Sequence, residues 1–215
     1  MDGFNTQVTG GGSESYSIQF ETDNRDHYLA VQAVCRECVD GAMPQKLILD
    51  ACCGGRMFWF DHHEPHTVYV DNREMDRRVI WTSKDGQETR EFEVKPDMVA
   101  DFRDLPFPDN TFYHVVFDPP HLTWAGETSW LAQKYGRLDD NWRDTIGRGF
   151  RECMRVLKPY GTLIFKWNET NITVREIIEV CGVEPLYGHR SGKGGKTHWL
   201  AFMKFPEGGD GDEKP

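Results

Sequence analysis

The sequence predicts an α/β fold: a mostly parallel sheet, doubly wound, with helices on both faces. Two patterns predict it. Short apolar runs of strand length alternate with stretches whose apolar residues recur at helical spacing. Several of those runs end in an acidic residue followed by glycine, proline or polar residues, the composition of a strand passing into a loop.

The elements follow in order. Residues 1–15 are rich in Gly, Ser and Thr, and residues 206–215 are acidic; both ends are expected to be disordered. Residues 16–205 read as one domain without linker or repeat. Leu29, Val31, Val34 and Cys38 suit a helix from Arg25 to Val39, ended by Gly41 and Pro44. Strands are expected at Lys46–Ala51, Thr67–Val70, Asp97–Ala100, Tyr113–Phe117 and Thr162–Trp167. Two more, Val183–Tyr187 and His198–Phe205, flank a glycine-rich loop and should pair as an antiparallel hairpin. Trp142, Ile146, Phe150, Met154 and Leu157 give a helix capped by Asp139 or Asp140 and ended by Lys158-Pro159-Tyr160-Gly161. Thr173 to Cys181 gives another, closed by Gly182. Residues 79–94 break the alternation: Val79-Ile80-Trp81-Thr82, Asp85-Gly86 and Phe92-Glu93-Val94 read as a β-hairpin.

Bulk properties bound the function. A chain of 215 residues with 38% hydrophobic content suits one soluble α/β domain. No apolar run is long enough to span a membrane, and Met1-Asp2-Gly3 lacks the basic and apolar character of a signal. The six cysteines have no framework spacing and read as reduced thiols of a cytoplasmic protein. A zinc site joining Cys35-x-x-Cys38 to Cys52-Cys53 is open, but a second pair at finger-like spacing is lacking, and His62-His63-x-x-His66 reads as a solvated loop, so the expectation is no metal.

The net charge of −10 argues against broad affinity for duplex nucleic acid, but a local basic surface remains open. Arg190, Lys193 and Lys196 fall in a glycine-rich run without an acid. That run suits either phosphate contacts or a hairpin turn kept soluble by its charge. Arg143, Arg148, Arg151 and Arg155 read as the solvated face of a helix.

The chemistry-bearing residues stand at strand ends. Asp50-Ala51-Cys52-Cys53-Gly54-Gly55 puts an acid and glycines at the tip of the first strand, which lets backbone approach a nucleotide-like ligand. Asp71-Asn72 closes the second strand, where a carboxylate can accept two ribose hydroxyls. Asp101-Phe102 follows the third and suits an adenine amine and an apolar wall. Asp118-Pro119-Pro120-His121 follows the fourth. Two prolines hold φ near −65° and offer no N–H, so this loop presents acceptors. It suits a group with two N–H donors, such as the exocyclic amine of a nucleobase, with His121 against the ring. Trp124, three residues on, can stack on a base or ribose, whereas Trp130 and Leu131 read as core. Lys166-Trp167 borders the pocket without an assigned role.

These motifs together resemble the class I S-adenosylmethionine-dependent methyltransferases. The run Ala100 to Phe112, then Val115-Val116-Phe117, resembles their third and fourth motifs; Arg155 to Leu163 resembles the segment before the fifth strand. Asp118-Pro119-Pro120-His121 is similar to the catalytic motif of the amino-methyltransferases, which modify adenine N6 or cytosine N4. The resemblance spans roughly residues 45–205. It implies a Rossmann-like seven-stranded sheet with an antiparallel last strand. It also implies S-adenosylmethionine held by Asp50, Ala51, Cys52, Gly54, Asp71, Asn72, Asp101 and Phe102. Two departures are visible: Cys52 stands where the family has its first glycine, and His121 where it most often has Tyr, Phe or Trp.

The expected activity is methyl transfer to an exocyclic amine of a base turned out of its stack, adenine N6 in DNA first and RNA second. Asp118 and the Pro119 carbonyl would hold the amine and His121 would pack on the base; a charged His121 would repel the methyl donor, so activity should fall at low pH. Trp124, Arg190, Lys193 and Lys196 are the candidate substrate contacts. A protein side-chain amide, a small amine, or a non-enzymatic role as cofactor-binding subunit are the alternatives. No recognition module follows the catalytic motif, which implies loose specificity, a short target, a helper subunit, or RNA read by shape; a homodimer is also open.

Overall fold

A computed structural model describes residues 45–206 except 125, 127 and 128. The expected helix at 25–39, Cys35-x-x-Cys38 and both expected disordered ends except Pro206 lie outside the described residues.

The chain runs β1 (Ile48–Asp50), β2 (Thr67–Asp71), β3 (Met75–Thr82), β4 (Thr89–Val94), β5 (Met98–Val99), β6 (Phe112–Phe117), α1 (Trp130–Tyr135), α2 (Trp142–Val156), β7 (Leu157–Asn168), α3 (Val174–Cys181), β8 (Tyr187–Ser191) and β9 (Thr197–Met203). Seven strands form one sheet in the order β5-β2-β1-β6-β7-β9-β8. Pairing is parallel from β5 to β7; β9 is antiparallel to both β7 and β8. This is the mostly parallel α/β sheet that the alternation predicts. β3 and β4 pair with each other alone, as the expected hairpin.

Strand alternation sorts the side chains. Leu49, Val68, Val70, Val115, Phe117, Leu163, Phe165, Leu200 and Phe202 share one buried cluster with Ile146, Phe150 and Cys153 of α2 and Ile177 and Cys181 of α3. Among the described residues, both long helices therefore cover the same face. Gly149 makes their seat: a Cβ there would lie 2.5 Å from the Phe102 ring and 2.8 Å from Phe117. Thr173 and Glu176 form a capping box on α3, and Gly182 ends it in the left-handed region.

Several expectations change. The strand expected at Val183–Tyr187 begins at Tyr187, where pairing with Ala201 starts; Val183 and Leu186 are exposed. Leu157 belongs to β7, not to the preceding helix, because it pairs with Phe112. The cap is Asn141 rather than Asp139 or Asp140, and its side chain makes no capping bond. Arg155 is not part of a solvated face. Its guanidinium binds Glu152, Asp109 and the carbonyls of Leu105 and Phe107, clamping the loop before β6 to α2. Among the described residues no helix is long and apolar enough to cross a membrane.

Candidate active site

From β1 the chain steps to β2 and then β5 on one side of the sheet; β6 and β7 continue on the other. The order reverses between neighbouring β1 and β6. A crevice at the carboxyl ends of two such strands is where open α/β sheets bind ligands. Asp50 and Val116 are register partners, so the turn after β1 and the loop after β6 leave the sheet side by side.

The turn after β1 is fixed by backbone bonds. Ala51 N–H donates to Val116 O at 3.0 Å and Cys53 N–H to Val70 O at 2.8 Å. Gly54, at φ +49°, donates its N–H to Asp71 Oδ2 at 2.9 Å. A Cβ on Gly54 would meet only the Arg73 guanidinium, 4.0 Å away, so the space beside the turn stays open. Asp71 also accepts from the Arg73 backbone N–H at 3.0 Å and from its guanidinium.

A cavity of about 190 Å³ opens here, lined by Cys52, Gly54, Asp71, Asn72 and Phe102 on one side and Asp118, Pro119, Pro120 and His121 on the other. A second, of about 340 Å³, is lined by Asp118, His121, Trp124, Lys166 and Asn168, among others. Asp118, His121 and Tyr135 line both. The Asp-Pro-Pro-His loop thus stands on the boundary between two adjoining cavities. Gly136, at φ +73°, lets the returning chain press on it: a Cβ there would lie 2.9 Å from Pro120 Cγ.

Electrostatics at the boundary follow from burial. Burial raises the pKa of Asp118, opposed by its ion pair and hydrogen bond with Lys166. Burial, and then the Lys166 charge, lowers that of His121 to about 4. Its imidazole is therefore neutral at ordinary pH, tilted against Tyr135 at 5.6 Å and edge-on to Trp167 at 6.4 Å.

Of the residues expected to hold the cofactor, three line neither cavity. Asp50 is fully buried; it accepts from Trp59 Nε1 at 2.7 Å and Cys52 N–H at 3.3 Å, bracing the turn from beneath. Burial raises its pKa to about 7, with the Trp59 bond opposing. Ala51 is buried at the base of the same turn. Asp101 is closed in a bidentate pair with Arg103, 2.6 Å between Oδ2 and Nη2. Arg190, Lys193 and Lys196 line neither cavity; they lie on the β8–β9 hairpin, whose Thr197 lines the second. Leu131, expected in the core, lines the second cavity too. Among the described residues no group of three or more His, Cys, Asp or Glu side chains is placed to hold a metal.

Arg73, Gly136 and Phe58, which the sequence does not single out, also line the first cavity, as does Tyr135 from the stretch that follows His121. Arg73 was signalled only by its nearness to Asp71 and Phe58 by its nearness to the Gly54-Gly55 turn; Gly136 had no local signal, because the chain leaving α1 brings it.

No family model and no curated protein matches the chain. Solved structures similar to it include a protein of Pyrococcus horikoshii, 14% identical, covering 84% of this chain and 90% of that one at a TM-score of 0.45. A putative DNA modification methylase of Thermus thermophilus is 20% identical over 54% of this chain and 55% of its own, at 0.34. A TehB-like S-adenosylmethionine-dependent methyltransferase of Corynebacterium glutamicum is 12% identical over 85% and 98%, at 0.40. The architecture here is fixed by strand order and register, not by these likenesses.

Proposed function

We propose that the chain is an S-adenosylmethionine-dependent methyltransferase acting on an exocyclic amine, adenine N6 in DNA being the first substrate and RNA the second. One observation carries this reading: the Asp118-Pro119-Pro120-His121 loop stands where two adjoining cavities meet at the sheet's switch point.

The first cavity suits the cofactor. Its glycine turn, the Asp71 carboxylate and the Phe102 wall fit a nucleoside, and Asp118 at its far end fits a cationic sulfur. When bound, S-adenosylmethionine supplies an electrophilic methyl group. Gly54 and Cys52 would hold its backbone-facing side and Asp71 its ribose, with the Arg73 guanidinium moving aside. At the boundary between the cavities Asp118, which lines both, and the Pro119 carbonyl would accept the two amine hydrogens and thereby fix the direction of the nitrogen lone pair. Neutral His121 packs on the acceptor without adding positive charge. Orientation and charge placement then supply the rate. The hairpin of Arg190, Lys193 and Lys196, beside the second cavity, would meet phosphates.

The test is transfer of a tritiated methyl group to DNA, RNA and protein pools, with mass analysis of the nucleosides. N6-methyladenine from wild type, but not from Asp118→Ala, is expected. Label confined to protein would overturn the reading.

A further inference from the structure

Lys166 occupies a position that the methyl-transfer reading leaves without a task. Its neighbours in β7, Phe165 and Trp167, are both fully buried in the helix-covered core. Alternation therefore turns Lys166 to the other face, at the carboxyl end of the strand. There its ammonium pairs with Asp118 Oδ2. The same Nζ lies 5.3 Å from the centre of the Phe58 ring and 5.6 Å from that of Trp199, its cross-strand partner. Phe58 and Trp199 in turn meet edge to face at 5.7 Å. A carboxylate and two rings thus hold a flexible side chain in one place. Lys166 and Asp118 line the second cavity together with Trp124 and with Asn168, which lies two residues on and on the same face of the strand.

An ammonium has three N–H donors, and Asp118 takes one. An acceptor and a donor therefore stand side by side on a wall that a planar ring can approach edge-on. An exocyclic amine on adenine or cytosine is a complementary edge: the amine donates, and the adjacent ring nitrogen, N1 of adenine or N3 of cytosine, accepts.

We propose that Lys166 and Asp118 read this H₂N–C=N edge together, Asp118 accepting from the amine and Lys166 donating to the ring nitrogen beside it. The proposal rests on the methyltransferase reading above and narrows its substrate class. An alkyl amine has no acceptor at that place, and thymine has no amine. Either would leave one member of the pair desolvated and unanswered, and a site built to hydrogen-bond discriminates strongly against such analogues. Lys166 is on this account a specificity-determining residue.

The experiment uses the full chain and an oligonucleotide of the nucleic acid that the wild type methylates. The target base is placed opposite an abasic site, so that pairing strength does not enter. It is either the natural base or its analogue with carbon in place of the ring nitrogen, 1-deazaadenine or 3-deazacytosine. For wild type, kcat/KM is expected to fall roughly 10- to 100-fold with the analogue. Lys166→Met should lose about as much on the natural base and should no longer distinguish the two. Lys166→Arg, which keeps a donor, should regain part of the discrimination. Equal rates on both bases for wild type, or undiminished discrimination by Lys166→Met, would overturn the proposal while leaving methyl transfer intact. Should Lys166→Met fail to fold, the wild-type comparison decides alone. Wild type that methylates no nucleic acid at all would remove the underlying reading and this one with it.

Discussion

Arg73 folds back onto Asp71, Nε 2.9 Å from Oδ1 and Nη2 3.2 Å from Oδ2, while Nη1 donates to the Gln133 carbonyl of α1 at 3.2 Å. One side chain therefore ties the carboxylate of the first cavity to the helix that carries Tyr135. It also stands where ribose hydroxyls would bind. The two residues should respond oppositely to truncation. Asp71→Ala removes the acceptor of the Gly54 N–H and is expected to weaken S-adenosylmethionine binding by about 10- to 100-fold, the loss of charge-assisted hydrogen bonds. Arg73→Ala leaves Asp71 open and should bind at least as tightly. Calorimetric titration of both variants checks this, and an unchanged Kd for Asp71→Ala refutes the assigned role.

Asp50 makes a prediction about stability rather than activity. Its folded pKa of about 7 lies well above the ordinary carboxylate value, with burial the largest cause. The sign follows: a raised carboxyl pKa favours the fold fully below about pH 4, and that contribution is lost as pH rises through about 7. The contribution is on the order of a few kcal/mol. Asp50→Asn cannot titrate. The melting temperature of the variant should therefore gain on wild type by about 5–10 °C between pH 5 and pH 8. Thermal unfolding without ligand measures it; parallel curves for the two proteins would refute it.

The strand-end carboxylates were legible because each ends an apolar run, and a strand buried on both faces announces itself in one dimension. Their partners were not. Asp71 and Asp118 line the first cavity, paired there with Arg73 and Lys166, whereas Asp50 and Asp101 do not line it and are bound by Trp59 and Arg103. Nothing in a linear pattern says whether a carboxylate faces a ligand or a neighbouring donor. Lys166 shows the same limit across the sheet: it meets Asp118 only because β7 lies beside β6 with Phe117 and Phe165 in register. The hairpin at β3–β4 was legible from Asp85-Gly86 between β-branched and aromatic residues. The start of β7 was not: Lys158-Pro159-Tyr160-Gly161 has the composition of a helix stop, yet it lies within β7 as the irregular stretch between the Phe112–Leu157 and His114–Thr162 pairs, with Tyr160 at φ +62°.

The pH expectation attached to His121 moves. Burial, and then the Lys166 charge, lowers the His121 pKa to about 4, so His121 should stay uncharged and not shape activity near neutrality. Asp118 is shifted the other way, upward by burial. Protonation there removes an acceptor from the amine site, so activity should fall with falling pH as Asp118 titrates. Wild type and His121→Phe, which keeps a flat ring, should show superimposable relative pH–rate profiles from about pH 6 to 9. Any acid limb the two share is assigned to Asp118, whose pKa is raised by burial, and they should part only below about pH 5, where His121 charges. Profiles that diverge near pH 6.5 would show that His121 titrates in the ordinary range after all.

The β3–β4 hairpin bears directly on the turn after β1 through Gly55. A Cβ at that position would lie 2.5 Å from Phe92 Cε2, 3.0 Å from its Cζ and 3.4 Å from the Glu93 carbonyl oxygen. Phe92 is buried, so its ring has little room to yield. Gly55→Ala should therefore act as overpacking and cost about 1–3 kcal/mol. Because Gly55 also lines the first cavity, S-adenosylmethionine binding should weaken with it. If the ring is the cause, shortening it should relieve the strain: Phe92→Leu destabilises wild type by leaving a cavity, yet should cost less in the Gly55→Ala background. Urea denaturation of the four proteins closes the cycle. Strictly additive losses would mean that the methyl group and the ring do not meet, and that the hairpin is not what shapes this turn.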